Sequence, residues 1–157
     1  MMLVETIRAE YPDHFQADTP PGGCTARIDD RGPDDPFWAF CEMTVVVRPD
    51  ETMTLTLNFP PLNDAVRTVV DDHGGRVMSQ PLPAIVLDLP ATDDAAAAVR
   101  DLSAAIKGVT RRGQFYPEKN WKWIVPRTAA SLTRFARLLT RHHRQARRRV
   151  ERQVRSA

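Results

Sequence analysis

The sequence predicts a single α+β domain, a small antiparallel sheet covered by helices, with a long basic amphipathic helix at its C-terminus. Three observations carry that expectation. The chain has 157 residues, about the size of one domain. Met53, Leu55, Leu57 and Phe59 alternate with Thr52, Thr54, Thr56 and Asn58, the pattern of a strand with one buried and one polar face. From Thr128 to Arg155 there is neither glycine nor proline, so a helix of up to ~28 residues, capped by Thr128, is expected there.

At the N-terminus, Leu3, Val4, Ile7, Tyr11 and Phe15 recur at helical spacing, and Pro12 limits the regular helix to about Glu10 or Tyr11. Pro20, Pro21, Gly22 and Gly23 mark a loop. A short strand is predicted at Cys24–Asp29 and, after Gly32, Pro33 and Pro36, a second across Phe37–Arg48. Pro49, Asp50 and Glu51 turn the chain into the alternating strand, which Pro60 and Pro61 end.

Asn63 then caps a helix reaching Asp71 or His73, with Val66, Val69 and Val70 facing inward and Gly74 or Gly75 terminating it. Val77–Gln80 and Ala84–Leu89 read as strands that Pro81 and Pro83 assign to a sheet edge. Thr92 caps a further, alanine-rich helix that lies close against a neighbour. Asp93 and Asp94 sit in its first turn, where the helix dipole favours carboxylates, and Gly108 is its stop. This order of elements resembles that of small dimeric chaperone and adaptor domains of mixed α+β type, a likeness of order and not of any motif.

Charge is divided unevenly. Up to Ala104 there are 7 basic and 18 acidic residues, and from Ala105 onward 15 basic and 2 acidic, so a net charge of +2 conceals segments of −11 and +13. Such asymmetry points to an anionic partner for the basic segment, or to an acidic surface that receives it. The chain accordingly divides into an acidic α+β core, residues 1–127, and a basic helix, residues 128–157.

On that helix Leu132, Phe135, Ala136, Leu139, Ala146, Val150 and Val154 fall on one side. Arg134, Arg137, Arg141, Arg144, Arg148, Arg152 and Arg155 fall on the other, in a stripe of about 32 Å. Guanidinium forks match phosphate geometry, and a long stripe can meet several phosphates, which makes nucleic-acid backbone the leading partner. A solvated helix face is the plainer explanation. An acidic protein surface, on this chain, on a second copy in a homodimer or on another protein, is the rival. A membrane surface is not expected, because beyond Leu139 the apolar side offers no Trp, Phe or Leu anchor.

Phe115, Tyr116, Trp121 and Trp123 lie within nine residues together with Lys119 and Lys122, a composition suited to base stacking beside phosphate contacts. Lys119, Trp121 and Lys122 therefore join the stripe as candidate nucleic-acid contacts. The competing reading has Trp121 and Trp123 pointing the same way from a short strand and filling the core.

No catalytic residue, metal ligand set or cofactor motif is assigned. His14, His73, His142 and His143 form no HxxxH or HExxH pair, and His142 reads as a boundary residue. Asp29 with Asp30, Asp34 with Asp35 and Asp71 with Asp72 are carboxylate pairs that could serve magnesium. With His73 the last makes a conceivable hydrolase corner, but it has the look of an exposed helix end. Cys41 is expected to be buried and Cys24, beside Gly23, to be exposed, and neither has an identifiable base. Gly22–Gly23 and Gly74–Gly75 lack phosphate-loop spacing. No membrane-length apolar run and no signal peptide are present, so a cytoplasmic location is expected. The chain is read as a non-catalytic binding or adaptor protein.

Overall fold

In the computed structural model, residues 1–29, 41–110 and 121–156 are described. The strands are β1 (Phe15–Ala17), β2 (Cys24–Arg27), β3 (Met43–Val47), β4 (Met53–Asn58), β5 (Arg76–Met78) and β6 (Ala84–Leu89). The helices are α1 (Leu3–Glu10), α2 (Asp64–Asp72), α3 (Asp93–Lys107) and α4 (Trp121–Ser156). The expected α+β domain is what forms. Part of the strand predicted from Phe37, the Asp34 and Asp35 pair, and Phe115, Tyr116 and Lys119 fall outside the described residues.

All strand pairs are antiparallel, in the order β1-β2-β3-β4-β6-β5. Period-two alternation sends Cys24 and Ala26, then Met43, Val45 and Val47, then Met53, Leu55 and Leu57 to one buried face, which β6 continues with Ile85, Leu87 and Leu89. Register holds these rows together: Val45 faces Leu55, which faces Leu87. The core formed here includes Leu3 and Ile7 of α1, Val66 and Val70 of α2, Leu102 and Ile106 of α3, and Leu132, Phe135 and Leu139 of α4.

Two helix starts follow directly from their caps. Asn63 Oδ1 accepts the Val66 N–H at 2.9 Å, and Thr92 Oγ1 accepts the Asp94 N–H at 3.4 Å. Helix α3 does end at Gly108, although with φ −85° the glycine continues in the right-handed region rather than forming a left-handed cap. Its alanine face, Ala95, Ala96 and Ala98, is buried, and the neighbour expected there is α4. Ser103 Oγ fixes the contact by donating to the Ala129 carbonyl at 2.7 Å and sharing a hydrogen bond with Thr133 Oγ1 at 2.8 Å.

Four expectations are corrected. Strand β6 is not at an edge: it is paired on both sides, with β4 and β5. Pro81 and Pro83 precede the strand, so they remove no ladder donor from it, and the Pro83 carbonyl accepts the Phe59 N–H at 2.8 Å. Phe15 begins edge strand β1 after a single 3₁₀ turn, Pro12–His14, instead of continuing the helical face of α1. Cys24 is fully buried in β2, and burial pushes its thiol up to about 11. Cys41 is buried as expected but sits before β3, with φ 58° and its thiol 3.5 Å from the Phe59 carbonyl.

The largest correction is the basic helix itself, which begins at Trp121 and not at Thr128. Pro126 lies inside it, where proline removes one backbone hydrogen bond. Thr128 is not a cap: its hydroxyl donates to the Ile124 carbonyl at 2.8 Å, the alternative open to a hydroxyl residue within a helix. At 36 residues α4 is about 54 Å long.

Candidate nucleic-acid interface

Helix α4 has two regimes along its length. Up to His143 its apolar side is covered, with Leu132, Phe135, Leu138 and Leu139 fully buried. Ala146 is half-buried, and from Arg147 to Ser156 every residue is exposed. Val150 and Val154, expected on the covered side, are 59% and 71% exposed. The periodicity continues to the end of the chain, but the body that would cover it does not.

The arginine stripe divides correspondingly. Arg134 is not a free cation: its Nε lies 2.9 Å from Glu10 Oε1, another guanidinium nitrogen donates to the Glu10 carbonyl at 3.2 Å, and the group lies 4.9 Å from the Tyr11 ring centroid. It joins α4 to the end of α1. Arg147 pairs with Asp93 at the start of α3, and Arg149 donates to the Met1 carbonyl. Arg137, Arg141, Arg144, Arg148, Arg152 and Arg155 are exposed and form no ion pair among the described residues. At ~100° per residue they lie within about 80° of one another, in a row about 27 Å long.

Sequence reasoning missed two cations beside this row. Arg100 and Lys107 are exposed on α3, two turns apart and therefore on one face of it. Arg100 reaches α4, donating to Thr140 Oγ1 at 3.0 Å. Their spacing was readable as a helical face, but only the packing of α3 on α4 places them next to the arginines.

The tryptophans behave differently from both expectations. They lie on the first turn of α4, not on a strand, so residues two apart point about 200° apart rather than the same way. Both are half-buried and pack against the core. The Arg127 guanidinium sits 5.3 Å from the Trp123 ring centroid, occupying a face a base would need. Lys122 between them is exposed.

His142 and His143 are buried, so His142 is not the boundary residue expected. His142 Nε2 is 3.2 Å from Glu51 Oε1, and the other Glu51 oxygen accepts the Leu3 N–H at the start of α1. One carboxylate thus ties α4 to α1 at the last covered turn of the long helix. His143 Nε2 is buried without a hydrogen-bond partner, and its pKa is lowered from 6.5, first by burial and then by His142, against the opposing pull of Asp93 and Glu51. A histidine held below its unfolded value contributes stability that is lost as pH falls from about 6.5. Denaturant midpoints should therefore decline as pH falls through about 6.5 and below, and His143→Gln should flatten that decline.

The conceivable hydrolase corner does not assemble. His73 Nε2 pairs with Asp101 of α3 at 3.0 Å, while Asp71 and Asp72 are exposed. Asp29 is committed to structure, receiving Arg27 Nε and the Met43 N–H. Among the described residues no three His, Cys, Asp or Glu side chains are grouped to hold a metal ion, and no helix is long and apolar enough to cross a membrane. Comparison of this chain with family models, with curated proteins and with solved structures finds no match, so no relative lends it a function.

Proposed function

We propose that this chain is a non-catalytic binding protein that contacts nucleic-acid backbone through the exposed face of α4. The observation that carries the reading is the separation of its arginines into two sets. Arg127, Arg134, Arg147 and Arg149 are held by Trp123, Glu10, Asp93 and the Met1 carbonyl, whereas six others form no ion pair among the described residues and stand along one line of one helix. Parallel guanidiniums repel each other, and a phosphate backbone relieves that repulsion along the row's full length.

The acidic half of the same chain does not supply this relief. Among the described residues its arginine ion pairs with α4 are at Arg134 and Arg147, and neither belongs to the exposed row. Half-buried Trp121 and Trp123 favour backbone contact over base stacking as the main source of affinity.

Salt dependence is the test. If about five of the arginines meet phosphates, the logarithm of affinity for duplex DNA should fall against the logarithm of salt with a slope near −4.5. Absence of binding at about 50 mM salt would overturn the reading and leave an acidic protein surface as the partner to seek.

A further inference from the structure

The groove between α3 and α4 concentrates more charge than a linear row requires. Arg100 from α3 and Arg134, Arg137, Arg141 and Arg144 from α4 surround an open concavity of about 720 Å³, with Glu10 as its acidic member. Five guanidiniums against one carboxylate leave four positive charges around a single hollow.

Two of these groups are already held in place. Arg134 is fixed by Glu10 and Tyr11. Arg100 is fixed by Thr140, whose hydroxyl accepts from it at 3.0 Å and donates to the Ala136 carbonyl at 2.9 Å. A guanidinium has five N–H donors, so Arg100 keeps most of its own for a ligand. Arg137, Arg141 and Arg144 have no partner among the described residues. A second hollow of about 400 Å³ shares Thr133 and Arg137 with the first. It is lined by Val125, Pro126 and Ala130, with Lys107 beside them.

A backbone phosphodiester brings one negative charge. A phosphomonoester brings about −1.5 to −2 at neutral pH, with three strong acceptor oxygens for several guanidiniums at once. We propose that the larger hollow seats a phosphomonoester or oligophosphate group, and that the nucleoside carrying it lies in the smaller one, against Val125, Pro126 and Ala130. The seat rests on the reading of α4 as a phosphate-binding face and gives that face a preferred ligand group. The same chemistry is offered by the 5′-phosphorylated end of a strand and by a free nucleotide.

The experiment titrates the full chain with one duplex oligonucleotide in 5′-phosphorylated and 5′-hydroxyl forms, and separately with a nucleoside triphosphate. The phosphorylated duplex should bind about tenfold more tightly. Arg100→Gln should bring the ratio between the two forms to about one. Triphosphate binding that needs Arg100, with no preference between the two ends, supports the seat and assigns it to free nucleotides. Equal binding of both ends with no triphosphate binding overturns the seat but leaves backbone binding standing. Failure of both duplexes to bind overturns backbone binding, and the triphosphate result then decides the seat.

Discussion

Arg148, Arg152 and Arg155 replaced together by glutamine should reduce affinity for duplex DNA roughly 500-fold at about 0.1 M salt, with the salt slope flattened by about 2.7. The size follows from counterion release. Each phosphate neutralised contributes about 0.9 to the slope, so relative to 1 M salt each contact is worth roughly eightfold at 0.1 M. The thermal midpoint should hardly move. All three side chains project from the stretch of α4 where every residue is exposed, and none of them pairs with another described residue. Exposed substitutions of this kind ordinarily change stability by less than about 0.5 kcal/mol.

Arg134→Gln is the internal control, because it removes one charge of the same kind from the same helix. Its guanidinium joins Glu10 and Tyr11 to α4, so the expected loss is in stability, with the salt slope for a 5′-hydroxyl duplex retained. Oligonucleotide titrations and melting curves on the two variants check both halves of the prediction. A triple variant that binds as tightly as the parent would place the contact surface elsewhere.

The contrast between these arginines also shows where sequence reasoning reaches its limit. That they share one side of a helix is local information, carried by a period of 3.6 residues. Which of them are free is not local: the partners of Arg134, Arg147 and Arg149 lie 124, 54 and 148 residues away. The same division runs through the fold. Asn63 and Thr92 announce α2 and α3 because a cap acts within three residues.

The central position of β6 depends on two pairings that nothing within Ala84–Leu89 encodes, and two prolines just before it argued for an edge. Local preference favours a start at Thr128, because a proline ordinarily interrupts a helix and a threonine ordinarily caps one. Here packing of Ile124, Val125 and Ala129 into the core outweighs both preferences. Burial of His142 was equally out of reach, since its partner Glu51 and the start of α1 lie far from it in the chain.

Glycine substitutions test the packing that holds α4 in position, and two positions of similar appearance in sequence should respond oppositely. Gly23 leads into β2, where Cys24 pairs with Val47 of β3. A Cβ built on Gly23 would stand 1.9 Å from the Val47 carbonyl oxygen and 2.9 Å from its carbon, both backbone atoms of a paired central strand. Relief would require β2 and β3 to separate where fully buried Cys24 and Val47 meet the core. Overpacking against side chains costs about 1 to 3 kcal/mol, and a backbone obstacle has fewer ways to yield. Gly23→Ala should therefore cost at least about 3 kcal/mol, read as a large fall in the urea midpoint. At Gly108 the nearest contact for a Cβ is 3.5 Å and φ is −85°, a conformation alanine adopts freely. Gly108→Ala should raise stability by about 0.4 to 1 kcal/mol, because alanine has less backbone freedom to lose on folding. If Gly23→Ala unfolds at the parent's midpoint, the close approach of β2 to β3 is wrong, and so is the sheet edge on which α1, and through the Glu10–Arg134 pair the seating of α4, depends.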